Sequence, residues 1–238
     1  PPEQIIADGR IKRFSSSGKR GDEAGWYVCF NDGIPAGCFG DWRTGESTTW
    51  RADIGRILTP NEEQQHKNRI EQIRLEREIE QKKIKKTAKE KALSIWTNSE
   101  SCIDHPYLTN KNIKSHGVRI TKGCLVIPLL EKGELHSLQF INQDGNKKFL
   151  SGGRIKGCYH QIGDFTNPEK ICIAEGLATA ATIHEATNYP VIIAFNAGNL
   201  LPVARTIHAE YPSIDLYICG DTDRSGVGQK KAEECADA

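Results

Sequence analysis

The sequence contains no methionine, no cysteine pair with CxxC spacing and no long apolar run. Its apolar stretches are far shorter than the ~20 residues that a membrane helix requires, and no signal peptide is recognisable. A zinc ribbon would need two closely spaced cysteine pairs, so we expect no zinc. These absences favour a cytoplasmic protein that does not associate with membranes.

Cysteines are present, but they are scattered along the chain. Several lie inside apolar runs, such as those around Cys172 and Cys219. A disulfide framework would suit a shorter, secreted and loop-rich chain. We therefore expect buried, reduced thiols. The eight cysteines are Cys29, Cys38, Cys102, Cys124, Cys158, Cys172, Cys219 and Cys235.

The chain also lacks an excess of charge of either sign, since 32 basic and 31 acidic residues give a formal net charge of +1. Any attraction to nucleic acid must therefore be local. The 238 residues, of which 37% are hydrophobic, can form a sizeable core in one large or two modest domains. Because the chain starts at Pro1 and stops at Ala238 within a helix-like run, we expect it to be a fragment of a longer protein.

The first 98 residues contain two contrasting segments. Residues 1–58 combine glycine with short aromatic or β-branched runs, and Asn31-Asp32-Gly33 is a turn signal, which predicts a small antiparallel β module. Trp26, Trp42 and Trp50 could stack on bases, but a place in the core of this module is favoured.

Residues 59–98 are rich in Glu, Gln, Lys and Arg and predict a long charged helix that serves as a linker. A solvated connecting helix is favoured, although the basic cluster at 82–86 leaves a nucleic-acid arm open.

The remaining residues predict a mainly β subdomain followed by an α/β domain. Within 99–167, strands are expected at 125–130, 135–141 and 147–150, separated by hairpin turns. Within 168–238, apolar strands alternate with helices, which indicates parallel βαβ units. The predicted fold class is therefore α/β.

Acidic residues follow two of these apolar strands. Glu175 ends the first, and Asp221 and Asp223 follow the third. The carboxyl ends of parallel strands form the functional edge of such sheets. Two aspartates at i, i+2 can converge on one hard cation with a glutamate from another strand, and Mg²⁺ prefers a few carboxylates with waters and phosphates. The alternative is a solvated turn and a helix-capping acid, but the coincidence of both motifs favours a metal site.

Glu175-Gly176 followed by Asp221-Thr222-Asp223-Arg224-Ser225-Gly226 resembles the Toprim domain of bacterial-type primases, topoisomerases and some nucleases. The segments 105–108, 127–129, 138–141 and 147–157 resemble the sequence that precedes Toprim in plasmid and satellite-phage primases or primase-helicases, and residues 8–10 and 33–44 resemble the amino-terminal region of those proteins. The resemblance covers most of the chain, most specifically residues 125–228. The resemblance implies synthesis of short RNA primers on single-stranded DNA from NTPs, with Mg²⁺ or Mn²⁺ as cofactor. A replicative helicase domain or protein is a possible partner.

The resemblance assigns roles to individual residues. Asp221 and Asp223 would be metal ligands, and Glu175 would be a ligand or the general base. Five basic residues would bind nucleotide or DNA. For those of the hairpin and the following turn the alternative is a solvated hairpin edge, but binding is favoured, and Arg224 could instead neutralise its acidic neighbours. Arg154 is favoured among them because a guanidinium grips phosphate bidentately. These residues are Lys147, Lys148, Arg154, Lys156 and Arg224.

The sequence departs from the family at Thr179, where Toprim primases usually have a further acid. A Toprim nucleic-acid-binding module without turnover therefore stays open. A Toprim nuclease or topoisomerase-like enzyme is a second alternative. No tyrosine lies in a context typical of a topoisomerase nucleophile. The segment Asn196-Ala197-Gly198-Asn199 could line a nucleotide site or cap the following helix.

Overall fold

The computed structural model describes residues 2, 4–31, 33–221 and 227–238, except for the side chain at 227. It divides into two compact units, Pro1–Lys82 and Lys83–Ala238. The boundary between the units lies within the long helix α1 (Pro60–Thr97). The four-part division expected from the sequence, with limits at 58, 98 and 167, stays a prediction.

The first unit contains a four-stranded antiparallel sheet in the order β1-β2-β3-β4. Its strands are β1 (Lys12–Phe14), β2 (Gly25–Phe30), β3 (Ala36–Asp41) and β4 (Ser47–Arg51). Trp26 and Val28 of β2 and Cys38 of β3 form a small core with Ile73 of α1. The predicted meander is therefore confirmed.

The first half of α1 packs on this sheet mainly through arginines. The Arg77 guanidinium lies 4.3 Å from the Trp26 ring centroid, and the Arg69 guanidinium lies 5.4 Å from that of Phe30. A guanidinium can stack on an aromatic face while its methylene stem covers apolar surface. These contacts attach the helix to the sheet at a few positions, while most of its residues between 60 and 82 are exposed, and the interpretation as a charged linker stays a prediction.

Only part of the expected tryptophan core is present. Trp26 is fully buried and Trp42 packs beside it, with ring centroids 5.5 Å apart. Trp50 is 40% exposed and lies against Gly37, where a Cβ would be 2.9 Å from the indole nitrogen. The core interpretation therefore holds for Trp26 and partly for Trp42, but not for Trp50.

The second unit begins with the rest of α1 and a five-stranded antiparallel sheet in the order β5-β6-β7-β8-β9. One face of this sheet packs on α1 through Val126, Leu138 and Ala92. The other face, including Ile127, joins the core of the following α/β sheet. The elements are β5 (Glu100–Ser101), α2 (Pro106–Lys111), β6 (Arg119–Thr121), β7 (Cys124–Glu131), β8 (Glu134–Ile141) and β9 (Lys147–Phe149).

The α/β sheet has the strand order β10-β12-β11-β13. Strand β11 pairs in parallel with both β12 and β13, and β10 is antiparallel to β12. Helix α3 covers one face, while α4 and α5 cover the other. The elements are β10 (His160–Ile162), β11 (Lys170–Ala174), α3 (Leu177–Thr187), β12 (Val191–Ile193), a 3-10 turn (Ala197–Asn199), α4 (Leu200–Glu210), β13 (Asp215–Cys219) and α5 (Val227–Ala236).

Burial on both faces explains the uninterrupted apolar sequence of β11. Ile171 and Ile173 point into the core under α4 and α5, while Cys172 and Ala174 point into the core under α3. The predicted α/β class, with a mainly β subdomain, a long helix and an N-terminal β module, is confirmed.

The cysteines are free thiols, and six of the eight are buried. Burial raises the pKa of Cys158 and of Cys172 to about 11. Both therefore stay protonated at neutral pH, as expected of structural thiols. None of the helices in the described parts of the chain has the length and apolar character needed to cross a membrane.

His160 on β10 should make the second unit acid-sensitive. Burial lowers its pKa from 6.5 to about 4, so the folded chain keeps it neutral where the unfolded chain is protonated. Stability is therefore highest above pH 6.5 and falls as the pH drops toward 4, by roughly 1–3 kcal/mol. Urea unfolding at pH 7 and pH 5 measures this loss.

His160→Gln should reduce the loss of stability between pH 7 and pH 5, because the glutamine cannot be protonated in this range. His208→Gln on α4, where the side chain is exposed, provides a matched control and should keep the pH dependence of the parent protein. An identical pH dependence for the parent and His160→Gln would contradict the prediction.

Candidate active site

The candidate site lies where two neighbouring parallel strands end. Ala174, the last residue of β11, pairs with Cys219, the last residue of β13. Glu175 follows β11 directly, and Asp221 follows β13 after Gly220. The topology thus brings both predicted acids to the carboxyl edge of the sheet, although they are distant in sequence.

Gly228, in the first turn of α5, allows both acids to lie close to the same point of that helix. A Cβ atom at this position would lie 2.7 Å from Glu175 Oε1 and 2.7 Å from the carbonyl oxygen of Asp221. These distances are too short for any side chain, so only glycine permits this approach. No sequence pattern singled out Gly228, although a second glycine two residues after Gly226 could have indicated it.

Thr179 contacts the acidic pair directly. It lies on the first turn of α3, one helical turn after Glu175, and its Oγ1 donates a hydrogen bond of 3.0 Å to Asp221 Oδ1. A carboxylate can only accept, so the hydroxyl proton must point at Asp221. The position where the Toprim resemblance leads us to expect an acid therefore provides a hydrogen-bond donor.

Tyr107 on α2 belongs to the same neighbourhood. It is 5% exposed, and its pKa is raised mainly by burial and also by the negative charge of Asp221. His105 positions it, because His105 Nδ1 accepts a hydrogen bond from the Tyr107 backbone N–H at 3.2 Å. The sequence assigned Tyr107 no role in the site, because its place beside Asp221 depends on packing between distant segments.

Lys147 brings positive charge to the site. Its Nζ lies 3.1 Å from the position that a Cβ on Gly176 would occupy, so the ammonium group is beside the residue that follows Glu175. Lys148 is exposed and, as the next residue of β9, points to the opposite side of the strand. Of the two lysines, only Lys147 has a contact that places it at the acidic edge.

Arg154 is engaged by a carboxylate. Its Nη1 donates to Glu131 Oε2 at 2.8 Å, its Nη2 pairs with the other oxygen, and its Nε donates to the carbonyl of Lys156. This bidentate pairing lowers the pKa of Glu131. Arg154 would have to exchange this partner to grip a phosphate, while the Lys156 side chain is exposed. Binding by either residue stays a prediction.

Asn199 has a role that neither sequence interpretation included. It is 3% exposed and supplies no side-chain hydrogen bond to cap α4. Its Nδ2 donates to the carbonyls of Cys158 and Ala194, at 2.9 and 2.8 Å, and its Oδ1 accepts from Gly157 N at 2.7 Å. Asn199 therefore ties the loop at residues 157–158 to Ala194, which follows β12, and a place in a nucleotide site stays a prediction.

A family model of the Toprim domain matches residues 170–238. These residues form a Toprim domain. The predicted resemblance is thus confirmed, and Glu175, Asp221 and Gly228 all lie within the matched region. Asp223 and Arg224, the other two predicted residues of the motif, lie outside the described residues.

The similarity to known proteins extends beyond the Toprim domain. The chain is 33% identical over 255 residues to a DNA primase TraC of Escherichia coli, a match that covers 99% of this chain and 24% of that protein. It is 31% identical over 249 residues to a second DNA primase TraC of Escherichia coli, covering 98% of this chain and 17% of that protein. The chain therefore spans a quarter or less of each relative's length. No solved structure matches it.

The donors of the Toprim site suit a hard divalent cation. Glu175 and Asp221 provide carboxylate oxygens at one edge, and Mg²⁺ is bound by one or two carboxylates together with waters and substrate phosphates. No cluster of three or more His, Cys, Asp or Glu residues suited to a metal occurs within the described ranges. The pair fits a metal that completes its coordination with water and phosphate.

Replacing Gly228 by alanine tests the close approach at this site. We expect Gly228→Ala to lower the free energy of unfolding by roughly 1–2 kcal/mol, because overpacking against a backbone oxygen outweighs alanine's higher helix propensity. Urea unfolding measures the change. Gly198→Ala is the control, since its Cβ would have no neighbour nearer than 3.4 Å. Equal stabilities of the two variants would show that the contact is absent in solution.

Proposed function

We propose that this chain carries the catalytic centre of a DNA primase that makes short RNA primers on single-stranded DNA from NTPs. The observation that carries this proposal is the pair Glu175 and Asp221, held together at the edge of a Toprim domain. The similarity to DNA primases over nearly the whole chain supports it. A location in the cytoplasm and a helicase partner stay predictions.

In the proposed reaction, the 3′-hydroxyl of one ribonucleotide attacks the α-phosphorus of the next NTP. A new oxygen–phosphorus bond forms, the bond to pyrophosphate breaks and the hydroxyl loses its proton. Magnesium, or manganese in its place, would neutralise phosphate charge and lower the pKa of the attacking hydroxyl. Asp221 and Asp223 would hold the metal, and Glu175 would be a third ligand or the general base.

The basic residues would neutralise charge on the nucleotide and the template. Lys147 is the strongest candidate, because its ammonium group lies beside Gly176 and therefore next to the acidic edge. A lysine there offsets part of the negative charge that two carboxylates and a triphosphate bring together. Lys148, Lys156, Arg154 and Arg224 are proposed to contact the template or the triphosphate less directly.

Loss of the acidic ligands should abolish RNA synthesis and leave DNA binding largely intact. The whole protein is incubated with single-stranded DNA, labelled NTPs and Mg²⁺, and the RNA products are separated by size. Asp221→Asn and Asp223→Ala should each reduce product by several orders of magnitude, since they remove charge that stabilises the transition state. Asp215→Asn, at the opposite end of β13, is the matched control.

The same assay separates the competing functions. Cleaved DNA would support a Toprim nuclease, and DNA binding without any product would support a binding module. Undiminished RNA synthesis by Asp221→Asn or Asp223→Ala would refute the proposed site.

Lys147→Ala tests the proposed charge neutralisation. We expect roughly a tenfold or greater loss of synthesis at low NTP concentration, as estimated for loss of a hydrogen bond to a charged group. Steady-state kinetics over a range of NTP concentrations measure the change. Lys91→Ala, on the exposed surface of α1, should behave as the parent protein. Equal kinetics for both variants would show that Lys147 does not neutralise nucleotide charge at the site.

A further inference from the structure

The backbone of Asp221 lies close against α5. A Cβ on Gly228 would lie 2.7 Å from the Asp221 carbonyl oxygen and 3.4 Å from its backbone nitrogen. Gly220 is equally confined, since a Cβ there would lie 2.8 Å from the Cβ of Ala232 on α5. Helix α5 thus determines where the main chain of Asp221 lies.

The side chain of Asp221 is less constrained than its backbone. It is exposed, so its own rotation about χ1 and χ2 decides where its oxygens point. Thr179 Oγ1 donates to Oδ1 at 3.0 Å. A β-branched threonine on a helix has few χ1 rotamers, and its hydroxyl therefore has a well-defined position.

The residues around Asp221 set the electrostatic context of this hydrogen bond. The negative charge of Asp221 helps to raise the pKa of the buried Tyr107. Glu175 Oε1 lies close to Gly228, as the Asp221 backbone does, and the Lys147 ammonium group lies beside Gly176. An acid at position 179 would place a third negative charge within hydrogen-bonding distance of Asp221, and a like charge disfavours ionisation of its neighbour. A hydroxyl adds no charge and presents a proton.

We propose that Thr179 is a positioning residue, which holds Asp221 Oδ1 by its hydrogen bond and so orients the carboxylate for the metal. Thr179 acts through Asp221 and need not touch the metal or the substrate. This inference rests on the proposed function, because it assumes that Asp221 binds the catalytic metal. It assigns a role to a residue whose departure from the family pattern would otherwise count against activity.

Metal binding by the whole protein tests this inference without requiring turnover. Free Mn²⁺ is followed by electron paramagnetic resonance during titration of metal-free protein in the absence of nucleotide. Thr179→Val, which keeps the shape but removes the hydroxyl, should weaken Mn²⁺ binding roughly 10- to 100-fold, as is typical when a partner of a metal ligand is removed. Thr179→Ser, which keeps the hydroxyl, should remain within about threefold of the parent protein.

A double variant shows whether Thr179 works through Asp221. In an Asp221→Asn background, Thr179→Val should cause little further loss of affinity, because two residues that act as one unit are not additive. In the primase assay, Thr179→Val should need a correspondingly higher Mn²⁺ concentration for half-maximal synthesis. Circular dichroism and urea unfolding verify that each variant is folded.

The outcomes separate the two proposals. Parent-like Mn²⁺ binding by Thr179→Val, equal losses for the valine and serine variants, or additive effects in the double variant would overturn the role of Thr179 alone. Mn²⁺ binding that depends on Asp221 but yields no RNA would overturn the primase proposal and leave Thr179 to be judged by the affinities. Failure of the parent protein to bind Mn²⁺ would overturn both.

Discussion

The parallel pairing of β11 with β13 is the interaction on which the candidate site depends. The backbone hydrogen bonds between these strands set a register in which Ala174 faces Cys219. A shift by one residue would exchange the two faces of β11 and move its apolar side chains out of their cores. Because both faces are buried, the register is strongly determined, and Glu175 and Asp221 meet at one edge as a consequence.

Close packing of the surrounding elements then brings other groups to these two strand ends. Gly228 lets α5 approach the Glu175 carboxylate and the Asp221 backbone, and Gly176 leaves room for the Lys147 ammonium group. Neighbouring carboxylates repel each other, and this repulsion must be offset by cations or donors nearby. Lys147 and the Thr179 hydroxyl supply a charge and a donor from two different elements.

The supporting elements are organised by polar contacts as well as by apolar burial. Asn199 joins Gly157 to Ala194, which follows β12, and His105 holds the backbone of Tyr107, which lies beside the acidic edge. In the first unit, Arg77 and Arg69 pack on aromatic rings where a hydrophobic stripe would be expected. Asn199 and His105 are buried, and buried polar groups such as these are normally hydrogen-bonded, which favours one arrangement of the backbone around them.

The sequence by itself determined the class of the fold, the Toprim motif and the strand ends that carry Glu175 and Asp221. These features depend on local pattern, since continuous apolar strands, alternating helices and turn residues leave signals within short stretches of sequence. The three strands expected between residues 125 and 150 were likewise confirmed, because hairpin turns mark their ends.

Only the tertiary structure decided how the other residues meet the acidic pair. The resemblance marked Lys147 and position 179, but it did not show that the Lys147 ammonium group lies beside Gly176 or that Thr179 donates to Asp221. Tyr107 and Gly228 join the site only through the packing of their elements. The contacts of the first half of α1 were likewise visible only in the tertiary structure. Arg69 and Arg77 lie on aromatic rings of the sheet, and a pattern of apolar residues alone does not show such contacts. Contacts between distant segments leave no local pattern, so a single sequence can mark a strand end but cannot show which side chains meet there.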